Sequence, residues 1–167
     1  MRKIQKIFES AIRFSLIELK IDDEIINPFF EYNKVLFAEK IELFFANGDK
    51  IILQTEELPH VFGEADIEIC KIKKELISDS KNETYFIKKI KTYYWKASGF
   101  NLFGLTKFLN QIEIFFSNNY SVSIGFFYLK KEKAEYLATG QLSISFNQNV
   151  FKSFNNDNLL EYEILFP

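Results

Sequence analysis

Few side chains in this chain have the type and spacing for chemistry. His60 is the only histidine and Cys70 the only cysteine. A nucleophilic thiol needs a nearby base and a lowered pKa, and these two are separated by the turn Pro59-His60-Val61-Phe62-Gly63. His60 therefore reads as a loop residue and Cys70, within an alternating run, as a small buried apolar one. One histidine leaves no His-pair metal centre, and one cysteine leaves no intrachain disulfide. No zinc spacing, P-loop, GxGxxG or GxSxG pattern occurs among the six glycines, so neither a metal nor a cofactor is expected and no residue is assigned a catalytic role.

Glu42 and Glu113 are the best acid/base candidates. They hold matching positions in Ile41-Glu42-Leu43-Phe44-Phe45 and Ile112-Glu113-Ile114-Phe115-Phe116. Two carboxylates converging in a cleft would suit a hydrolase or a small-ligand site. The simpler reading is an outward strand residue in each case.

Lys88-Lys89-Ile90-Lys91-Thr92-Tyr93-Tyr94-Trp95-Lys96 interleaves basic and aromatic residues, as a single-strand nucleic-acid site would. The sequence pI of about 5.6 argues against that reading, since nucleic-acid domains are usually basic. An amphipathic strand, Lys outward and Ile90, Tyr94 or Trp95 inward, accounts for the same pattern.

Charge is uneven although the net value is only −2. From Glu9 to Glu68 there are 14 acidic and five basic residues, a balance of −9, and from Lys71 to Lys96 eight lysines face three acids, a balance of +5. An acidic surface steers a basic partner. Its candidate residues are Asp22, Asp23, Glu24, Glu56 and Glu57, with Phe44, Phe115, Tyr93, Tyr94 and Trp95 as aromatic contacts.

These residues must be positioned by strands. With 20 Phe and 8 Tyr against six Gly and three Pro in 167 residues, the composition favours sheet, and the length buries a single core. The two Glu-bearing stretches lie 112 − 41 = 71 positions apart, and the match runs on both sides, Leu16 on Ile87 and Ile51 on Val122. The expected fold is one mostly β domain over 1–167, α+β at the margin. Two pseudo-repeated strand–linker–hairpin–strand units, about 12–73 and 85–146, precede a closing strand at about 159–166.

Turn chemistry sets each hairpin. A three-residue loop Ala46-Asn47-Gly48 puts Ile41, Leu43, Phe45, Ile51 and Leu53 on one face, with Gly48 in the left-handed position. Loop Ser117-Asn118-Asn119 does the same for Ile112, Ile114, Phe116, Val122 and Ile124, Asn119 replacing the glycine.

Further expectations are a helical turn within 1–11, a bulge between Leu16 and Ile17, and strands over Ala65–Ile72, Tyr85–Trp95 and Gln141–Phe146. The hairpin strand after Asn119 is expected to run on to Leu129. Phe103–Leu109 reads as a short helix covering the faces that carry Phe44 and Phe115.

Met1-Arg2-Lys3 resembles a signal-peptide start, but Lys6, Glu9, Arg13 and Glu18 interrupt any apolar segment. The chain is expected to be soluble and cytoplasmic, without a membrane partner. The expected function is non-catalytic protein binding, in concrete form an inhibitor or immunity protein neutralising a basic toxin or nuclease. A nucleic-acid module at 88–96 and the paired-glutamate site are the alternatives.

Overall fold

The i, i+4 spacing of Ile4 and Phe8 aligns them on one helical stripe. In the computed structural model a helix stands there, α1 (Arg2–Glu9), with Ile4, Phe8 and the following Ala11 buried in the core. The structure describes residues 2–9, 11, 14, 16–26, 35–57, 65–73, 85–96, 107–117, 119–130, 133–136, 141–146 and 159–165.

All other elements are strands. In chain order they are β1 (Leu16–Ile21), β2 (Glu24–Ile26), β3 (Leu36–Ala38), β4 (Lys40–Phe45), β5 (Asp49–Glu57), β6 (Ala65–Lys73) and β7 (Ile87–Lys96). Then come β8 (Lys107–Phe116), β9 (Ser121–Gly125), β10 (Phe127–Lys130), β11 (Lys133–Tyr136), β12 (Leu142–Ser145) and β13 (Leu159–Leu165). They form a five-stranded sheet, β2-β1-β4-β5-β6, a six-stranded sheet, β13-β7-β8-β9-β12-β3, and the hairpin β10-β11.

Both hairpins take the register that turn chemistry dictates. Leu43 pairs with Ile51 and Ile41 with Leu53; Ile114 pairs with Val122 and Ile112 with Ile124. Gly48 and Asn119 are left-handed, with φ 79 and 67. Alternate residues of both sheets enter one core, including Ile41, Leu43, Phe45, Ile51, Leu53, Ile112, Ile114, Phe116, Val122 and Ile124. The protein is thus a mostly β domain of two antiparallel sheets around a shared core, with one short helix among the described residues.

Among the described residues the backbone links the two sheets at two places. Leu16 bridges to Tyr85 just ahead of β7, which joins β1 to the second sheet. At Glu39 the chain leaves β3 of the six-stranded sheet and enters β4 of the five-stranded one. Corners of this kind are made by strands that change sheets.

Two expectations are corrected. Lys107, Phe108 and Leu109 belong to strand β8, not to a helix; 101–106 lie outside the described residues. Paired with Lys96, Trp95 and Tyr94 of β7, this segment follows its neighbour rather than its own spacing. Nor does β9 reach Leu129: it ends at Gly125, and Phe127–Lys130 pairs with Lys133–Tyr136. The cause lies in β8, where Tyr93 faces Gln111 but Tyr94 faces Leu109, which leaves Asn110 as a bulge. Beyond that bulge Leu109 turns into the core, out of phase with Phe127, so the β8–β9 ladder stops.

Candidate functional site

The acidic turn is largely committed to the fold. Asp22 and Asp23 form a two-residue turn between β1 and β2, both left-handed at φ 47 and 72, the backbone of a type I′ hairpin. The Asp22 carboxylate accepts from Glu39 N (2.9 Å) and Lys40 N (2.8 Å), and Asp22 N donates to Lys40 O (3.0 Å). Asp22 thereby pins the point where the chain changes sheets. Lys40 Nζ lies 2.9 Å from Asp23 Oδ1. That hydrogen bond holds the Asp23 carboxyl below the usual carboxylate range and pushes the Lys40 pKa up. Glu24 and Glu39 are exposed. The side chains of Glu56 and Glu57 lie outside the described residues.

On the outer face of the five-stranded sheet, Glu42 is buried and contacts Lys50 Nζ at 2.9 Å, with Lys40 Nζ at 3.8 Å. Phe44 is also buried, and no helix among the described residues lies over it. Two ammonium groups do, Lys20 at 5.1 Å and Lys50 at 5.5 Å from the ring centroid. Burying an aromatic face under cations satisfies both partners. Gln54 Nε2 donates to Glu68 Oε2, and Cys70 Sγ contacts Glu68 Oε1 at 3.4 Å. Cys70 is half-buried on this outer face, because its neighbours Ile67 and Ile69 take the core side; the expected buried apolar role is corrected.

The outer face of the six-stranded sheet carries the other glutamate. Glu113 stands opposite Lys91 and accepts a 3.4 Å hydrogen bond from the Tyr93 hydroxyl. Glu42 and Glu113 lie in different sheets, each flanked in its strand by core residues and so turned away from the shared core. The structure does not bring this pair together.

The basic stretch is β7, held between β13 and β8. Lys89 covers the half-buried Phe115 ring at 4.6 Å, Ile90 is core, and Tyr94 packs against the core. Lys88 is exposed; the Trp95 side chain lies outside the described residues, as does His60.

Sequence reasoning missed two features. One is an aromatic corner. Phe14, Phe86 and Tyr120 are 41, 38 and 41% exposed; backbone bonds place Phe86 and Tyr120 beside Phe116 and Ser117, and Phe14 lies two residues before Leu16 at the seam of the two sheets. Leu16 N donates to Tyr85 O, Ser117 N to Phe86 O and Phe116 N to Tyr120 O, at 2.9, 2.9 and 2.8 Å. The remaining exposed large hydrophobics among the described residues, Ile25, Phe37 and Ile72, are scattered over edge strands β2, β3 and β6. The signal was weak, because aromatics abound in this sequence.

The other feature is a dry polar layer on the six-stranded sheet, where Gln111, Glu113, Ser121, Ser123, Ser143 and Ser145 are all buried. Serine in alternation reads as a solvated face, so only tertiary structure reveals it.

Among the described residues no group of His, Cys, Asp and Glu gathers closely enough to hold a metal ion, and no helix is long and apolar enough to cross a membrane. No family model matches the chain, nor does any curated protein or solved structure.

Proposed function

We propose that this chain is a non-catalytic protein-binding protein of the cytoplasm, an inhibitor or immunity-type partner of a basic protein such as a toxin or nuclease. The observation that carries the reading is the aromatic corner. Interface cores are enriched in aromatics and depleted of charge, and a few such anchors dominate binding energy. Phe14, Phe86 and Tyr120 supply anchors, with exposed Ser117 and Asn119 beside them.

Recognition of a basic partner rests on what remains of the acidic half. Asp22, Glu42 and Asp49 are engaged by backbone amides or lysines, so among the described residues steering falls to the exposed Glu9, Glu24 and Glu39, with Asp23 adding charge reduced by Lys40. Charges at an interface rim chiefly set association rate and salt dependence. A single cysteine, Cys70, suits a reducing compartment.

The test is capture from the native host at low and high salt, using the parent chain, a Phe86→Ser/Tyr120→Ser variant and a Glu24→Gln/Glu39→Gln variant. The reading expects one basic protein bound by the parent, lost with the aromatic variant and bound more weakly by the glutamine variant. A salt-resistant interaction that ignores the glutamates ends the steering argument. Equal capture by the aromatic variant ends the anchor argument.

A further inference from the structure

The phase of hydrogen bonding along β1 decides which way β2 faces. Asp22 N donates to Lys40 O at 3.0 Å, and bonded pairs alternate along an antiparallel ladder, so the next bonded pair toward the strand interior is Lys20 with Glu42. Lys20 thus directs its backbone groups to β4, while Ile21 and Leu19 direct theirs to β2. Ile25 stands opposite Lys20 and therefore turns its N–H and C=O away from β1. β2 is the edge of its sheet, and among the described residues Ile25 makes no backbone bond beyond that edge.

Natural sheets blunt such edges with lysine, proline, a bulge or a cover. β2, Glu24-Ile25-Ile26, holds no lysine or proline and no bulge. Ile25 is 67% exposed, the most exposed large hydrophobic among the described residues. Its side chain shares the outer face with Lys20, whereas Glu24, opposite Ile21, is exposed on the other side of the strand. The neighbouring Asp23 side chain is 80% exposed. The edge offers one residue's pair of backbone bonds, an apolar side chain on one side and a carboxylate on the other. So short a ladder leaves selectivity to the side chains.

We propose that β2 receives an extended segment of a protein partner by strand addition, and that this segment alternates basic and apolar residues. Residues opposite one another on adjacent strands share a face. An apolar residue of the segment lies against Ile25, and the lysine or arginine on either side of it meets Glu24. An acidic segment is repelled. Strand addition here rests on the basic-partner reading and specifies which part of that partner docks.

The test is an NMR titration of the isotope-labelled full chain with three capped peptides. One alternates lysine and valine, one alternates glutamate and valine, and one is the lysine–valine peptide N-methylated at every residue. The lysine–valine peptide alone is expected to give a saturable shift of the Ile25 and Glu24 amide resonances, with slower hydrogen exchange at the Ile25 amide. Ile25→Pro removes the outward N–H without breaking the ladder to β1, as proline is tolerated at edges, and should weaken the peptide about tenfold. Glu24→Lys, at an exposed site, should also weaken it and keeps the test decisive if the proline variant does not fold. Strand addition is overturned if the lysine–valine peptide gives no saturable shift, if both variants leave its Kd unchanged, or if either control peptide binds equally well. The two readings fail separately. A captured basic protein that Ile25→Pro binds at full strength, and Phe86→Ser/Tyr120→Ser does not, overturns strand addition and leaves the basic-partner reading standing. A peptide bound at Ile25, with no basic protein captured from the host, does the reverse.

Discussion

Ile17 and Lys88 are the extra residues of two β-bulges set 88 − 17 = 71 positions apart, at equivalent places in the two sheets. In β1 the pairing steps from Leu16–Phe45 to Glu18–Phe44; in β7 it steps from Ile87–Phe116 to Lys89–Phe115. Every residue of the first set maps onto the second at that offset. A bulge bends its strand and sharpens its twist, so both sheets are bent at the same point, next to the seam where Leu16 meets Tyr85. We propose that about 12–73 and 85–146 are one unit used twice.

Shared turn chemistry gives that proposal a test. Gly48 and Asn119 hold the same left-handed position. Gly48→Asn should cost well under 1 kcal/mol, whereas Gly48→Val should cost about 1–2 kcal/mol through its Cβ. Urea denaturation of both variants checks this; equal losses would deny the turn its left-handed requirement.

The Glu42–Lys50 pair is the buried ion pair of the outer face. Lys50→Ala should cost about 3 kcal/mol, because Glu42 is left with the longer Lys40 contact and Phe44 loses one of the two cations that lie over it among the described residues. Lys20→Ala, which removes the other cation and a 3.2 Å ion pair with Glu18, should cost about 0.5–1 kcal/mol. A double Glu42→Leu/Lys50→Met variant should recover most of the Lys50 loss. Chemical denaturation reads all three, and equal effects for Lys20 and Lys50 would show that Glu42 does not depend on its partner.

The exposed Asp23–Lys40 pair gives a pH signature. Asp23 has a folded pKa below its unfolded value of 3.8, so its contribution is present above that value and lost as pH falls through the folded one. Lys40 is raised above 10.5, so its contribution is present below that value and lost as pH climbs through the folded one. Asp23→Asn should therefore lower the denaturation midpoint slightly and equally across neutral pH, and the difference from the parent should vanish in strong acid. A difference that persists there would assign the effect to the turn, not the ion pair.

Gly125 is fixed by contact. A Cβ there would meet Gln111 Cγ at 2.6 Å and Asn110 O at 2.8 Å. The side chain can move but the carbonyl cannot, so Gly125→Ala should cost about 1–3 kcal/mol, and Gln111→Ala should rescue it only in part. Full rescue would mean that the backbone yields.

Much of the fold is legible from the sequence because it depends on local rules. Asn-Gly and Asn-Asn turns, face purity and the parity change at Leu16 specify both hairpins and the bulge at Ile17. What escaped is non-local. The bulge at Asn110 exists only in pairing with β7, and it is what ends β9 at Gly125. The helix expected over Lys107–Leu109 likewise gives way to non-local pairing with β7. At the candidate sites, Phe44 was legible as a paradox and Lys20 and Lys50 resolve it. Asp22 looked like free acid because its donors, Glu39 N and Lys40 N, come from a corner that no local pattern announces. The dry serines were invisible for the same reason, since serine spacing says nothing about what lies above it.

The most direct measurement of the protein-binding reading is the affinity of the purified captured partner for the parent and for the Phe86→Ser/Tyr120→Ser variant, by calorimetry at two salt concentrations. The expected result is a loss of at least about 2 kcal/mol, some thirtyfold in Kd, in the aromatic variant at both salts. The Glu24→Gln/Glu39→Gln variant should lose affinity mainly at low salt. An unchanged Kd in the aromatic variant would contradict the assignment of the corner as the partner's anchor.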